Sequence, residues 1–267
     1  MRDAAPLDVL EKWHGAGNDF LVALRRSGPP RLDADHARRW CDRHTGIGAD
    51  GLIEGTFDER GLVMSLHNAD GSRAELSGNG LRCLVAAAVA HGLVAEGTLD
   101  VATDAGARRV TVALDPSCDR AWGSVDMGPV EVADGGSLES GVAAHLGNPH
   151  VVVADRGGPD ESLLERAADL AGDLADDAGS GANVEFVTLD GPDHLTIRVV
   201  ERGVGRTLAC GTGSCAAAAV AHRLGLVSSH VTVTNPGGDL DVTLVDGAAT
   251  LAGPAVRVAA VSMPEPW

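Results

Sequence analysis

The sequence predicts an α/β (α+β) chain of two pseudo-twofold-related domains from an internal duplication, each a curved sheet or barrel wrapped round a buried central helix. Three observations carry this expectation. The first is a repeat at about half of the 267 residues. Residues 68–80 (NADGSRAELSGNG) return as 201–213 (ERGVGRTLACGTG), and each copy runs into an alanine-rich segment containing AAAVAH, ending at His91 and His222. Gly17-Asn18-Asp19-Phe20 returns as Gly147-Asn148-Pro149-His150, residues 46–50 as 179–183, and the run closing at Gly106 as the run closing at Gly237. Matches kept in order at nearly the same spacing mark a duplicated domain. The second observation is that both alanine-rich segments are apolar all round, which suits helices enclosed on every side. The third is that short alternating or buried runs between glycine turns fill most of the rest, and these read as strands.

Taken in order, residues 20–24 after the Gly17-Asn18 turn read as a buried strand, and Pro29-Pro30 as a loop. Residues 33–44 read as a helix capped by Asp33 or Asp35 and stopped by Gly46. Strands follow at Leu52-Ile53 and 62–66, then the helix at 80–91 and strands at 98–102 and 109–114. Asp115-Pro116-Ser117 is the expected boundary, so the halves are 1–117 and 118–254, with the tail 255–267 returning to complete the first. The second half reads as strands at 122–127 and 151–154, then an amphipathic helix at 160–177. That helix sets Leu163, Leu164, Ala167, Leu170, Ala171 and Leu174 on one face. Strands at 185–189, 195–200, 231–234, 240–245 and 250–263 complete it, the second of these delivering Glu201.

Hydrophobic content of 44% and a mean hydropathy of +0.04 fit a globular chain with a full core. The net charge is −17 and Lys12 is the only lysine, which argues against nucleic acid or an anionic membrane as the main partner. A small anionic substrate is compatible with this balance, because Arg82, Arg202 or Arg206 can line a local pocket. The longest apolar runs, near 84–90 and 215–221, are too short to span a bilayer. Cysteines 41, 83, 118, 210 and 215 are odd in number and lack CxxC spacing, so neither a zinc site nor a disulfide framework is indicated. Their usage fits a reducing cytoplasm, and acidic residues at 3, 8 and 11 argue against a signal peptide.

Cys210 stands before Gly211-Thr212-Gly213 at the mouth of the second central helix, where the first amides have no intrahelical partner. The dipole there is expected to lower the thiol's pKa, and the glycines let a carboxylate rest on the same N–H groups. A reactive thiol beside a carboxylate cradle suggests work on the carbon next to that carboxylate. Ser77 occupies the matching place before Gly78-Asn79-Gly80. The duplication predicts the two mouths facing one another across a cleft. Blander readings stand beside these: Ser77 as an ordinary N-cap, Cys210 as a buried inert thiol, Cys83 and Cys215 as core, and His91 and His222 as structural helix-end residues.

Over nearly its whole length the chain resembles the diaminopimelate epimerase family, of the cofactor-independent epimerase and racemase superfamily that includes proline racemase. The resemblance is carried by Gly17-Asn18-Asp19-Phe20, Asn68-Ala69-Asp70-Gly71-Ser72, Gly78-Asn79-Gly80 with Arg82-Cys83, Gly147-Asn148-Pro149-His150, Asn183-Val184-Glu185-Phe186 and 201–213. It implies interconversion of LL- and meso-diaminopimelate, in the lysine and cell-wall branch of amino-acid biosynthesis, without pyridoxal or metal. One thiolate removes the α-proton and a thiol on the opposite face returns one. Carried over by position, Cys210 is one acid/base thiol, while His150 and Glu201 tune the thiols. Gly78, Asn79, Gly211 and Thr212 supply the cradle. Asn18, Asn68, Asn148, Asn183 and Arg202 hold the substrate, and paired halves of this kind often form a homodimer.

The resemblance breaks at Ser77, where the family has its first catalytic cysteine. An alcohol is roughly four or five pKa units less acidic than a thiol, so Ser77 as base costs on the order of 6 kcal/mol. Three accounts stay open. Ser77 is an engineered Cys→Ser change; or the chain is a slow epimerase with a neighbour activating Ser77; or it is a lyase, isomerase or racemase on another small amino or hydroxy acid with Cys210 as its single strong base. A non-catalytic binding homologue ranks behind these. Gly51 and Arg206 are lesser departures, standing where the family often has glutamine and glutamate.

Overall fold

A computed structural model describes residues 9–26, 28, 30–158, 161–173, 181–202 and 204–262. The chain divides into two compact units, one of residues up to Val125 together with those from Pro254 onward, the other running from Asp126 to Gly253. The Asp115-Pro116-Ser117 stretch forms a turn inside the first unit, closed by Asp115 N–H donating to the Arg120 carbonyl.

The first unit is built from β1 (Val9–Gly15), β2 (Asn18–Leu24), α1 (Ala34–Cys41), β3 (Gly51–Asp58), β4 (Gly61–Asn68), β5 (Arg73–Ala74), α2 (Gly78–Ala90), β6 (Gly97–Thr103), β7 (Gly106–Leu114) and the start of β8 (Arg120–Pro129). The second continues with β9 (Glu131–Val132), β10 (Val142–His145), β11 (Pro149–Ala154), α3 (Glu161–Asp173), β12 (Asn183–Gly191), β13 (His194–Glu201), β14 (Gly205–Thr207), α4 (Gly211–Arg223), β15 (His230–Asn235), β16 (Gly238–Val245) and β17 (Ala248–Val261), whose last residues belong to the first unit.

The duplication is written in the pairing. In the first unit β2 runs parallel to β3 across α1, β4 runs parallel to β6 across α2, and the remaining neighbours are antiparallel. In the second unit β11 runs parallel to β12 across α3, and β13 parallel to β15 across α4. A parallel pair needs a crossover, and a helix supplies it. The turns ahead of β2 and β11 match to the backbone: Gly17 and Gly147 both have φ of +85°, a left-handed conformation that glycine adopts without penalty.

In each unit the central helix is enclosed, as its all-round apolar sequence requires. Residues 78–88 of α2 are buried, as are Gly211, Gly213 and 214–221 of α4. The second helix of each unit packs by one face. Ala37, Trp40 and Cys41 of α1 meet Leu10, Leu21, Ala23 and Leu52, while Leu163 and Ala167 of α3 meet Val151, Val153, Val184 and Phe186. Asp33 caps α1, its carboxylate accepting from the N–H of Asp35 and His36. Leu164 is a correction, for it is 47% exposed, lying about 100° round the helix from Leu163. Leu174 and the rest of the expected helix to 177 lie outside the described residues.

Strand β1 has no counterpart among the sequence expectations. Its alternation is hidden by Glu11, a charged residue 1% exposed, which accepts from Trp13 Nε1 at 2.8 Å and pairs with Arg257 of β17 at 2.6 Å and His91 at 3.0 Å. The short β5, β9, β10 and β14 were not expected either. Arg82 is a second correction: it is fully buried on α2, donating to Asn79 Oδ1 and the Pro254 carbonyl, so it lines no open pocket. No helix among the described residues is long and apolar enough to cross a membrane.

Candidate active site

Each unit ends a strand and a short loop at the mouth of its central helix, and the two mouths share one cap geometry. Ser77 caps α2 at φ −143° and ψ 117°, its Oγ accepting from Gly80 N–H at 3.0 Å. Cys210 caps α4 at φ −123° and ψ 115°, its Sγ accepting from Gly213 N–H at 3.3 Å. One residue of either kind thus serves as an N-cap, leaving the next two amides of the first turn aimed out of the helix. Those amides belong to Gly78 and Asn79 in the first unit and to Gly211 and Thr212 in the second.

What surrounds the caps differs. At α4, Cys210 is 5% exposed. Asn235 Oδ1 accepts from its N–H at 3.4 Å, Ser214 Oγ donates to its carbonyl at 2.8 Å, and Thr212 Oγ1 lies 3.5 Å from its Sγ. Glu201, the last residue of β13, lies beside the thiol and accepts from Thr207 Oγ1 at 2.5 Å. His150 on β11 is buried, with Nδ1 2.7 Å from Glu185 Oε1 and Nε2 3.0 Å from Asn148 Oδ1. Asn148 Nδ2 in turn donates to Thr212 Oγ1 at 3.4 Å. Asn183 opens β12, its Oδ1 accepting from Arg202 N–H at 2.9 Å, and Arg202 itself is exposed, with Nη1 donating to the Gly181 carbonyl. The structure therefore gathers Cys210, Thr212, Glu201, His150 and Asn148 into one connected cluster, with Asn183 and Arg202 joined beside it.

At α2 the half-buried Ser77 has no such company. Asn18 accepts from Asn79 Nδ2 at 3.3 Å and donates to Asp50 at 2.9 Å, so these two expected residues meet. Asn68 ends β4 and spends its side chain on Ser72 Oγ at 3.0 Å. By the repeat, Asn68 stands where the second unit has Glu201, and Phe20 where it has His150. Among the described residues, no carboxylate or imidazole hydrogen-bonds Ser77.

The expected lowering of the Cys210 thiol is corrected. Burial pushes it well above the ordinary thiol range, and the Glu201 and Glu185 carboxylates push the same way. The Thr212 hydroxyl and the Gly213 N–H act against them and are outweighed. Glu201 is also raised, first by burial and then by Glu185, against the opposing hydrogen bonds from Thr207 and Cys210. Burial thus disfavours the charged form of both neighbouring groups, the thiol and the carboxyl. Burial drives Cys83 to about 12, in keeping with its reading as a core thiol.

Sequence reasoning missed two residues of the cluster. Asn235 holds the Cys210 backbone, and Glu185 lies against the first turn of α4. A Cβ built on Gly213 would stand 2.5 Å from Glu185 Oε1 and 3.2 Å from Cys210 Cβ. In the first unit a Cβ on Gly80 would stand 2.9 Å from Ile53 Cδ1 and 3.2 Å from Ser77 Cβ. Ile53 thus occupies the place that Glu185 holds in the second unit, a difference the aligned repeats already contained. Among the described residues no group of three or more His, Cys, Asp or Glu could hold a metal ion.

The family model for diaminopimelate epimerase matches residues 11–133 and 142–258. A diaminopimelate epimerase from Mycobacterium ulcerans is 35% identical over 286 residues, with 97% of this chain and 98% of that one covered. One from Corynebacterium aurimucosum is 37% identical, covering 93% and 96%. Among solved structures, a predicted epimerase from Pseudomonas aeruginosa superposes with a TM-score of 0.73 at 14% identity, covering 97% of this chain and all of that one, so the likeness there is one of fold. With the duplicated fold and the thiol-capped helix mouth in place, these matches identify the chain as a member of the diaminopimelate epimerase family, amino-acid epimerases of the cofactor-independent superfamily.

Proposed function

We propose that the chain interconverts LL- and meso-diaminopimelate by proton transfer at the α-carbon, acting in the cytoplasm on the free amino acid. The observation that carries this is Cys210: a thiol capping a helix whose next amides point outward, with the Glu201 carboxyl group beside it. In this reading Glu201 takes the thiol's proton, the thiolate removes the α-hydrogen, and the Gly211 and Thr212 amides stabilise the substrate carboxylate as charge grows on it. Gly78 and Asn79 of the first unit act likewise in this reading, with Ser77 as the second acid/base group. Asn18, Asn68, Asn148, Asn183 and Arg202 hold the substrate, several of them at its distal, non-reacting centre. Cys210→Ala is expected to abolish exchange of the substrate α-hydrogen with solvent deuterium. Exchange retained in that variant would overturn the assignment.

A second reading is favoured by the Ser77 surroundings. With Asn68, Phe20 and Ile53 where the other unit has Glu201, His150 and Glu185, no carboxylate or imidazole among the described residues hydrogen-bonds Ser77 to take its proton. A reaction with Cys210 as sole base, such as β-elimination or a one-directional isomerisation, fits that asymmetry. Separate incubation with LL- and meso-diaminopimelate decides. If neither isomer is inverted, while a β-hydroxy amino acid loses water, the second reading replaces the first.

A further inference from the structure

Glu185 has no part in the reaction above, and the fold supplies no reason for it. It is fully buried, and its Oε2 has no hydrogen-bond partner among the described residues. Leaving a buried polar atom unsatisfied costs roughly 1–3 kcal/mol, more for a charged group. The first unit shows that the position does not demand a carboxylate, since Ile53 fills the same space beneath Gly80. Stability alone favours the isoleucine.

What Glu185 touches is the far end of a line of hydrogen bonds. The line runs from its Oε1 to His150 Nδ1 at 2.7 Å, from His150 Nε2 to Asn148 Oδ1 at 3.0 Å, from Asn148 Nδ2 to Thr212 Oγ1 at 3.4 Å, and from there to Cys210 Sγ at 3.5 Å. The hydrogens fall one way along it. The amide carbonyl accepts, so His150 Nε2 donates to it, while the Glu185 carboxyl group holds Nδ1 on the other side of the ring. The amide then donates to Thr212, whose own hydroxyl hydrogen is left for the sulfur. We propose that Glu185 is a positioning residue that holds the His150 ring with Nε2 donating to Asn148 and so aims this line, through Asn148 and Thr212, at Sγ of Cys210. The inference rests on reading Cys210 as the proton-transferring thiol.

The charged and titratable groups facing that sulfur set the sign of the test. Glu201 from β13 and Glu185 from β12 hold the proton on the thiol by their negative charge. Thr212 and the Gly213 N–H from α4 favour the thiolate, and His150 from β11 acts through Asn148. As a bare charge, Glu185 would therefore oppose the thiolate, and removing it would make Cys210 react at lower pH. As a positioning residue it supports the thiolate, and removing it has the opposite effect.

The experiment is carbamidomethylation of Cys210 by iodoacetamide across about pH 6 to 10 on the full chain. It is read peptide by peptide in a mass spectrometer, so that the exposed Cys118 is counted apart. Glu185→Gln is expected to move the profile upward by about one pH unit, slowing alkylation near neutrality about tenfold. Glu185→Asp is expected to recover most of the rate, and Glu185→Gln added to His150→Gln to change it less than about twofold. An unmoved or downward profile in Glu185→Gln, or a full shift on top of His150→Gln, overturns the proposal. Should Glu185→Gln fail to fold, Thr212→Val cuts the line one link from the sulfur: the same upward move is expected, and none overturns. Alkylation needs no substrate, so a chain that inverts no amino acid yet shows the shift loses the proposed function and keeps this inference.

Discussion

Replacing Ser77 by cysteine is the perturbation that separates two-base from one-base chemistry most sharply. The backbone already accommodates a thiol in this role: the caps of α2 and α4 share their extended dihedrals, and a sulfur at 210 takes the Gly213 N–H at 3.3 Å where the oxygen at 77 takes that of Gly80 at 3.0 Å. The exchange of caps should therefore cost about 1 kcal/mol or less. The chemical effect is much larger. Roughly four to five pKa units separate alcohol from thiol, and at about 1.36 kcal/mol each they amount to about 5–7 kcal/mol, or on the order of ten-thousand-fold in rate. Among the described residues nothing at α2 cancels it, because the carboxylates that hold the proton on Cys210 correspond there to Asn68 and Ile53. Microscopic reversibility applies the penalty to both directions, since donation by Ser77 leaves the same alkoxide that abstraction requires. The assay is epimerisation of each diaminopimelate isomer in deuterium oxide, with inversion and α-hydrogen exchange followed together. In the Ser77 chain, exchange with retention should outrun inversion for the isomer whose α-hydrogen meets Cys210. In Ser77→Cys inversion should rise by about a thousandfold or more and approach the exchange rate. Equal inversion rates in the two proteins would refute the reasoning, because residue 77 could not then be the second acid/base group.

Three further outcomes follow from the same structure. Gly213→Ala drives a Cβ to 2.5 Å from a Glu185 oxygen pinned by His150, so α-hydrogen exchange should fall about tenfold although alanine gains about 1 kcal/mol of helix propensity. Gly80→Ala meets the movable methyl end of Ile53 at 2.9 Å, with Ser77 at 3.2 Å just as Cys210 stands beside Gly213, so it should lose less, and equal losses in the two variants would contradict the distinction. Glu201, raised in the folded chain, contributes stability that is fully present below the ordinary carboxylate range and lost as pH rises through its raised value. Thermal unfolding of Glu201→Gln should accordingly decline less over that interval, and parallel curves for the two proteins would count against it. Arg25 and Glu54 form an ion pair at 2.7 Å with side chains only 2% and 1% exposed. Urea unfolding of Arg25→Ala should show a loss of about 3–5 kcal/mol from the stranded carboxylate, and a loss below about 1 kcal/mol would show that the pair is dispensable.

The duplication and both helix mouths were legible because each is a local signal repeated: a turn, a capping residue, then small apolar residues with no polar face. Ser77 and Cys210 could be placed as caps for that reason. The acidity of Cys210 could not, because it is set by burial and by carboxylates on β12 and β13, which the linear order keeps apart from α4. Strand β1 escaped because Glu11 breaks its alternation, and only Arg257 and His91, far along the chain, explain a charge at that place. Glu185 escaped for a related reason. Within its own strand it is one acidic residue among apolar ones, and its meaning lies in His150 and in the contrast with Ile53. Of the residues expected to touch substrate, Asn148 and Thr212 prove to be joined through the cluster around the thiol, whereas Asn68 is engaged with its own loop.

The alanine run of α4 has a mechanical consequence. From Ala216 to Ala218 the helix is wholly enclosed, with side chains no larger than a methyl group between its backbone and the surrounding strands. Such a rod acts as a gauge: any longer side chain along it would force the strands apart, and there is no flexible packing to absorb the change. The amides at its end are therefore held like jaws set on a solid bar, and an incoming anion finds them already oriented, with little reorganisation left to oppose its binding.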